Sequence, residues 1–138
     1  MQPVVVNIWA LLACVVIRMG IGALWYSPKG FLKAWLKMSG VKEKQMNAGM
    51  GKAIVTDLVF SLVMAFVLLH AIRYALPQGS HDLGLGLAVS FLNWLGFVAA
   101  VQSGVVTYEK KPFKYFLIVS GYQLVTILLM GAVLTLWS

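Results

Sequence analysis

The stretch CVVIRMGIGALWYSP, Cys14–Pro28, decides the fold. It is apolar up to Trp25, yet Arg18 sits inside it, and it ends in Trp-Tyr-Ser-Pro. An apolar run that carries one arginine and stops at paired aromatics reads as a membrane-crossing helix reaching the headgroup region. The run begins at Val4, so the first span covers residues 4–26. Leu11-Leu12-Ala13-Cys14 imitates a lipoprotein processing box, but no basic residue precedes it and the apolar run continues past Cys14. Cys14 is therefore expected to be a small buried residue of the first helix.

The rest of the chain repeats the pattern. A bilayer core of about 30 Å needs roughly 20 apolar residues. Residues 53–76, 83–106 and 113–137 also qualify. Charged residues make up 11% of the 138 and apolar ones 61%, against about 25% charged in a soluble domain. Mean hydropathy is +0.88. Two of the three connections, 77–82 and 107–112, are very short, so consecutive helices must be antiparallel neighbours. The expected fold is all-α: a single transmembrane domain over residues 1–138, an antiparallel four-helix bundle.

Charge orients it. The net charge of +7 would suggest nucleic acid in a soluble protein, but here the basic residues follow membrane geometry and no nucleic-acid partner is expected. Nine of the 11 basic residues lie in or beside the first and third connections. The positive-inside rule puts these loops in the cytoplasm and both termini outside, which suits a bacterial inner membrane.

Ser27-Pro28 reads as a helix start. Phe31, Leu32, Trp35 and Leu36 recur at helical spacing, Lys29, Lys33 and Lys37 line another face, and Gly40 is a stop. This is a short interfacial helix, its lysines directed at anionic lipid phosphates. The alternative is a cytoplasmic partner site or gate. Trp25 and Tyr26 form an aromatic belt at this interface, and Trp9 and Trp137 fit the opposite one.

GALWYSP (Gly22–Pro28), Trp35, NWLGFVA (Asn93–Ala99) and GYQLVTILLMGAVLTLW (Gly121–Trp137) resemble the small bacterial membrane proteins catalogued as domain of unknown function 1761. The resemblance covers nearly the whole chain, and the Trp-Tyr-Ser-Pro junction is its most specific part. It implies a four-helix integral membrane protein and no particular reaction or substrate. Val119 and Gln123 depart from the Asn and His common at these places in that family.

Polar residues within the spans suggest a protein-lined interior. Asn7, Cys14, Arg18, Gly22 and Trp25 share one stripe of the first helix. Asp57 and Ser61 are one turn apart on the second. Gly86, Ser90, Asn93, Gly96, Ala100 and Ser103 follow one stripe of the third, and Ser120 and Gln123 lie together on the fourth. At 1.5 Å per residue Arg18 lies about 12 Å deep and Asp57 about 6 Å, within an arginine's reach. Three readings stay open. Arg18 locks two helices through Asp57; or it attracts anions into a polar cavity lined by Asp57, Ser61, Asn93, Ser103 and Gln123; or it holds an anionic lipid headgroup.

Gly96, Ala100 and Gly104 form a small-residue face of the kind that packs helices or oligomerises. A homo-oligomer is expected, because four short helices enclose little volume. Gln102, opposite Asn93, is expected to reach the interface. His70, Arg73, His81 and Asp82 lie at the outer end without metal-ligand spacing. Gly49-Met50-Gly51-Lys52 is too short for a phosphate-binding loop. No catalytic residue, metal or cofactor is expected. The function expected is a small channel or transporter subunit passing an ion or small anionic solute; the alternative is a structural or regulatory protein binding lipid or a partner through the small-residue face of the third helix.

Overall fold

Asn7 sets where the first helix begins. In the computed structural model, which describes residues 3–138, the Asn7 Oδ1 accepts from the backbone N–H groups of Trp9 (3.1 Å) and Ala10 (3.3 Å). A side chain that caps the first amides cannot also lie within the helix. Helix α1 therefore runs Ile8–Trp25 rather than from Val4. After it come α2 (Leu32–Ser39), α3 (Glu43–Ala48), α4 (Met50–Ala75), α5 (Leu83–Thr107) and α6 (Phe113–Trp137). The described residues contain no strand.

Helices α1, α4, α5 and α6 are each long and apolar enough to cross a membrane. Their outer faces carry Val16, Val59, Phe66, Leu92, Phe97 and Val101 exposed, a surface suited to lipid rather than water. The chain is a multi-pass membrane protein. Helix α6 is the centre of the bundle and packs against α1, α4 and α5. The Asn7 Nδ2 donates to the Trp137 carbonyl (3.2 Å), and the Trp25 indole donates to the Ile118 carbonyl (3.0 Å). The start of α1 thus lies beside the end of α6 and its end beside the start, so the two run antiparallel. The core where α1 and α6 meet α4 holds Leu11, Cys14, Leu69, Ile72, Met130 and Leu134. Cys14 is fully buried, and its thiol donates to the Met130 carbonyl at 3.8 Å.

Helix α5 is not regular. Residues Leu95–Ala99 wind as a π-helix. A π turn carries one extra residue, so the residues after it are rotated by about 100° from their α-helical places. The inward residues are Gly86, Ser90, Trp94 and then Ala99, with a step of five across the π turn. The expected stripe through Gly86, Ser90, Asn93, Gly96, Ala100 and Ser103 is therefore broken. Its first two residues face the core, while Gly96, Ala100 and Ser103 are exposed. Sequence periodicity assumes one helical pitch and cannot register the insertion.

The close helix contact lies elsewhere than expected. A Cβ added at Gly86 would collide with the Thr135 side chain, and one at Gly131 with Ser90 Oγ. An added Cβ at Gly96 would meet nothing within 4 Å. Small residues let membrane helices approach, and it is Gly86 and Ser90 on α5, against Gly131 and Thr135 on α6, that do so. Within the chain, Gly96, Ala100 and Gly104 are not that face.

The first connection also differs in detail. Helix α2 starts at Leu32, four residues after Pro28. Ser27 holds a turn instead: its Oγ donates to the Leu24 carbonyl (2.7 Å) and accepts from the Gly30 amide (3.2 Å). Gly40 ends α2 in the left-handed conformation, at φ 79°. Helix α3 comes next, and α4 begins at Met50, three residues before the apolar run itself.

Candidate functional site

The earlier start of α4 removes the depth mismatch between Arg18 and Asp57. Arg18 lies about seven residues from the end of α1, and Asp57 about seven from the start of α4. Both are then roughly 10 Å into their helices. Arg18 Nη2 donates to Asp57 Oδ1 at 3.1 Å. Its Nε donates to Ser61 Oγ at 2.9 Å and its Nη1 to Gln123 Oε1 at 2.9 Å. The guanidinium carbon lies 5.1 Å from the centre of the Tyr122 ring, within cation–π range. The Tyr122 hydroxyl donates back to the Arg18 carbonyl at 3.0 Å. Three helices thus close on one cation: α1 supplies it, α4 two acceptors, α6 a third acceptor and an aromatic face.

Arg18 is only 7% exposed, whereas the Asp57 side chain is 38% exposed. The carboxylate lies on an open surface of α4 beside Lys52, Thr56 and Phe60. The guanidinium lies inside the bundle and the carboxylate at its edge. In low dielectric an unpaired cation is costly, and a pair with further hydrogen bonds removes most of that cost. Chemically the arrangement is a lock between helices.

Of the six residues expected around a cavity, the fold brings together four: Arg18, Asp57, Ser61 and Gln123. Asn93 and Ser103 are not with them. The Asn93 amide donates to the carbonyl of its own helix at Val89 (2.8 Å), and Ser103 Oγ donates to Ala100 (2.7 Å). The π turn separates the two, and neither hydrogen bond leaves α5. Gln102 was expected to reach the interface. Instead its Oε1 is buried, the one buried side-chain polar atom without a partner among the described residues. It follows Ala99 by three positions, so the π turn carries it inward.

Several residues of this region were not anticipated. Tyr122 is far from Arg18 in sequence and reads as ordinary helix composition. Trp25 was expected as a belt residue, yet its indole is tied to α6. Trp94 does the same from α5, donating to the Ser120 carbonyl at 2.8 Å. Two indoles thus hold one turn of α6 from opposite neighbours. At the other end, Arg73 Nη2 donates to the carbonyls of Leu134 (2.9 Å) and Thr135 (3.2 Å), and its Nη1 to Ser80 (3.0 Å). His81 Nδ1 shares the Thr135 carbonyl at 2.8 Å. A cation on the last carbonyls of a helix favours its dipole. Arg73 and His81 border a cleft of about 560 Å³ that also touches Val4, Tyr74 and Gln78. His70 meets the Phe66 carbonyl and the rings of Phe66 and Tyr74 along its own helix, and Asp82 caps α5 through the Leu85 amide. Among the described residues no three His, Cys, Asp or Glu side chains gather as for a metal.

The family model described as protein of unknown function, DUF1761, matches residues 9–135, from the first turn of α1 to the last turn of α6. The chain belongs to the DUF1761 family. The match contains every residue of the Arg18 network, so the lock falls within the DUF1761 region itself. No curated protein and no solved structure matches the chain.

The lysine-bearing elements sit at the Trp25 end of the bundle. Lys29, Lys33 and Lys37 are all exposed, and Trp35 is half-buried. Lys111 differs from them. Its Nζ donates to the carbonyls of Met38 (3.2 Å) and Ser39 (3.0 Å), and so fastens the end of α2 to the α5–α6 connection.

Proposed function

We propose that this DUF1761 protein is a non-catalytic structural or regulatory protein of a bacterial inner membrane, acting by association with further copies of itself and with anionic lipid. The Arg18 network carries this reading. The cation that could have drawn an anion into the bundle spends each of its nitrogens on Asp57, Ser61 and Gln123. The same contacts knit three helices into a unit that has no need of a solute. The lysine distribution supports cytoplasmic placement of the α1–α4 and α5–α6 connections. The unpacked Gly96 and Ala100 on the outside of α5 support contact between copies.

Purified protein in liposomes is expected to give no flux across a panel of ions and small organic anions. Flux that Arg18→Gln abolishes while the fold persists overturns the reading. Chemical crosslinking in liposomes is expected to trap oligomers that Ala100→Leu weakens. A second reading, passage of a small solute along a seam between copies, is favoured by one observation: Asn93 and Ser103 place polar groups within a span but away from the Arg18 network. Flux lost on Ala100→Leu and kept in Arg18→Gln would select it.

A further inference from the structure

We infer that anionic phospholipid headgroups on the lysines of α2 and of the turn before it stabilise the transmembrane bundle through an aromatic ladder that ends on Arg18. This rests on the proposal that the lysine side meets anionic lipid, and adds to it a path and a consequence. The helix α2 buries none of its own residues, so few contacts fix its position. Its C-terminal carbonyls are tied by Lys111, and its middle is held by aromatic rings. The Trp35 ring lies 5.9 Å from Tyr26, edge-on at 72°. Tyr26 lies 5.4 Å from Tyr122, again edge-on at 70°. Tyr122 is the ring beneath the Arg18 guanidinium and the donor to the Arg18 carbonyl. Trp25 reinforces the junction, 4.9 Å from Phe31 and 6.4 Å from Tyr122.

The ladder has a polar surface end and a buried charged end. Lys33 and Lys37 lie one turn apart on α2, Lys29 lies in the turn that precedes it, and all three are exposed, so their charge complements a layer of phosphates. A ligand that binds only the docked arrangement of α2 stabilises whatever that arrangement is packed against. Here that is Tyr26 and Tyr122, and through them the meeting point of α1, α4 and α6. Anionic lipid then acts on the bundle, not only on the surface helix.

The full chain would be placed in nanodiscs of phosphatidylcholine, alone or mixed with phosphatidylglycerol. Retained phosphatidylglycerol is read by native mass spectrometry, and bundle stability by the midpoint of heat unfolding. The wild type is expected to retain phosphatidylglycerol and to gain about 5 °C in its presence. The K29Q/K33Q/K37Q variant is expected to lose both. Trp35→Leu, which cuts the ladder at its surface end, is expected to keep the lipid and lose the gain in midpoint. Tyr26→Phe keeps the ring and is expected to keep the gain. Equal lipid retention in the wild type and the triple variant overturns the lipid reading and the inference with it. Retention lost in the triple variant, with no gain in the wild type, overturns the coupling and leaves the lipid reading intact. A gain that survives Trp35→Leu overturns the ladder as its path.

Discussion

The Arg18 guanidinium and the Asp57 carboxylate meet at 3.1 Å, the first almost fully buried and the second at the edge of the bundle. The asymmetry predicts unequal effects of removing either partner. Asp57→Ala leaves a buried cation with Ser61 and Gln123 as its remaining acceptors. Arg18→Ala leaves a partly exposed carboxylate, but it also empties the meeting point of three helices. Each is expected to cost about 2–4 kcal/mol, below the full value for an entirely buried pair in the case of Asp57. The double variant should cost less than the two together, by about 1 kcal/mol or more. Denaturant unfolding in mixed micelles gives the cycle, and strict additivity would count against a coupled pair.

The glycines of α5 should divide by face. Gly86→Ala pushes a methyl group into Thr135 across the α5–α6 contact. It is expected to cost about 2 kcal/mol, since tightly packed membrane helices have little room to shift. Gly96→Ala meets nothing within the chain. It should be neutral, or stabilise by up to about 1 kcal/mol through helix propensity. The same unfolding measurement checks both, and equal losses would mean that the α5–α6 contact is misassigned.

The π turn makes an unusual deletion tolerable. Removing Phe97, which is 77% exposed, takes out the extra residue and leaves an ordinary α-helix. The inward faces on either side keep their alignment, so the melting midpoint is expected to fall by no more than about 3 °C. Removing the exposed Ala88 from the regular part of α5 rotates Gly86 against Trp94. That variant is expected to lose about 10 °C or more. If both deletions behave alike, the π turn does not set the register.

Arg73 should matter through geometry as well as charge. Its forked guanidinium reaches carbonyls on α6 and the Ser80 carbonyl of the α4–α5 loop together. Arg73→Gln is expected to cost about 1–2 kcal/mol, read from the same denaturant curves. Arg73→Lys should recover only part of that, because a single ammonium cannot span both elements. Full recovery by lysine would show that charge alone is needed.

The membrane helices were legible because hydrocarbon imposes a length and a composition that any single span must satisfy on its own. Residues 113–137 were bounded to the residue, and Gly40 was recognised as the stop of α2 for a local reason, its freedom at positive φ. Ends that depend on a cap were less legible. Asn7 looked like one more polar residue on a stripe, and Ser27 looked like a cap where it instead holds a turn. Topology and reach allowed Arg18 to pair with Asp57 as one of three open readings, and the tertiary structure brings the two together. Ser61 and Gln123 lay on the right faces, but Tyr122 did not announce itself, because a tyrosine under a guanidinium carries no local signature.

What the amino-acid sequence determined by itself is therefore the set of spans and the cation that needed an answer. Both follow from transfer between water and hydrocarbon, a property of short segments. The tertiary structure decided which acceptors reach that cation, which glycines bring helices together and which face of α5 turns inward past Leu95. Those depend on contacts between residues far apart in the chain, and on one extra residue in a π turn that shifts everything after it.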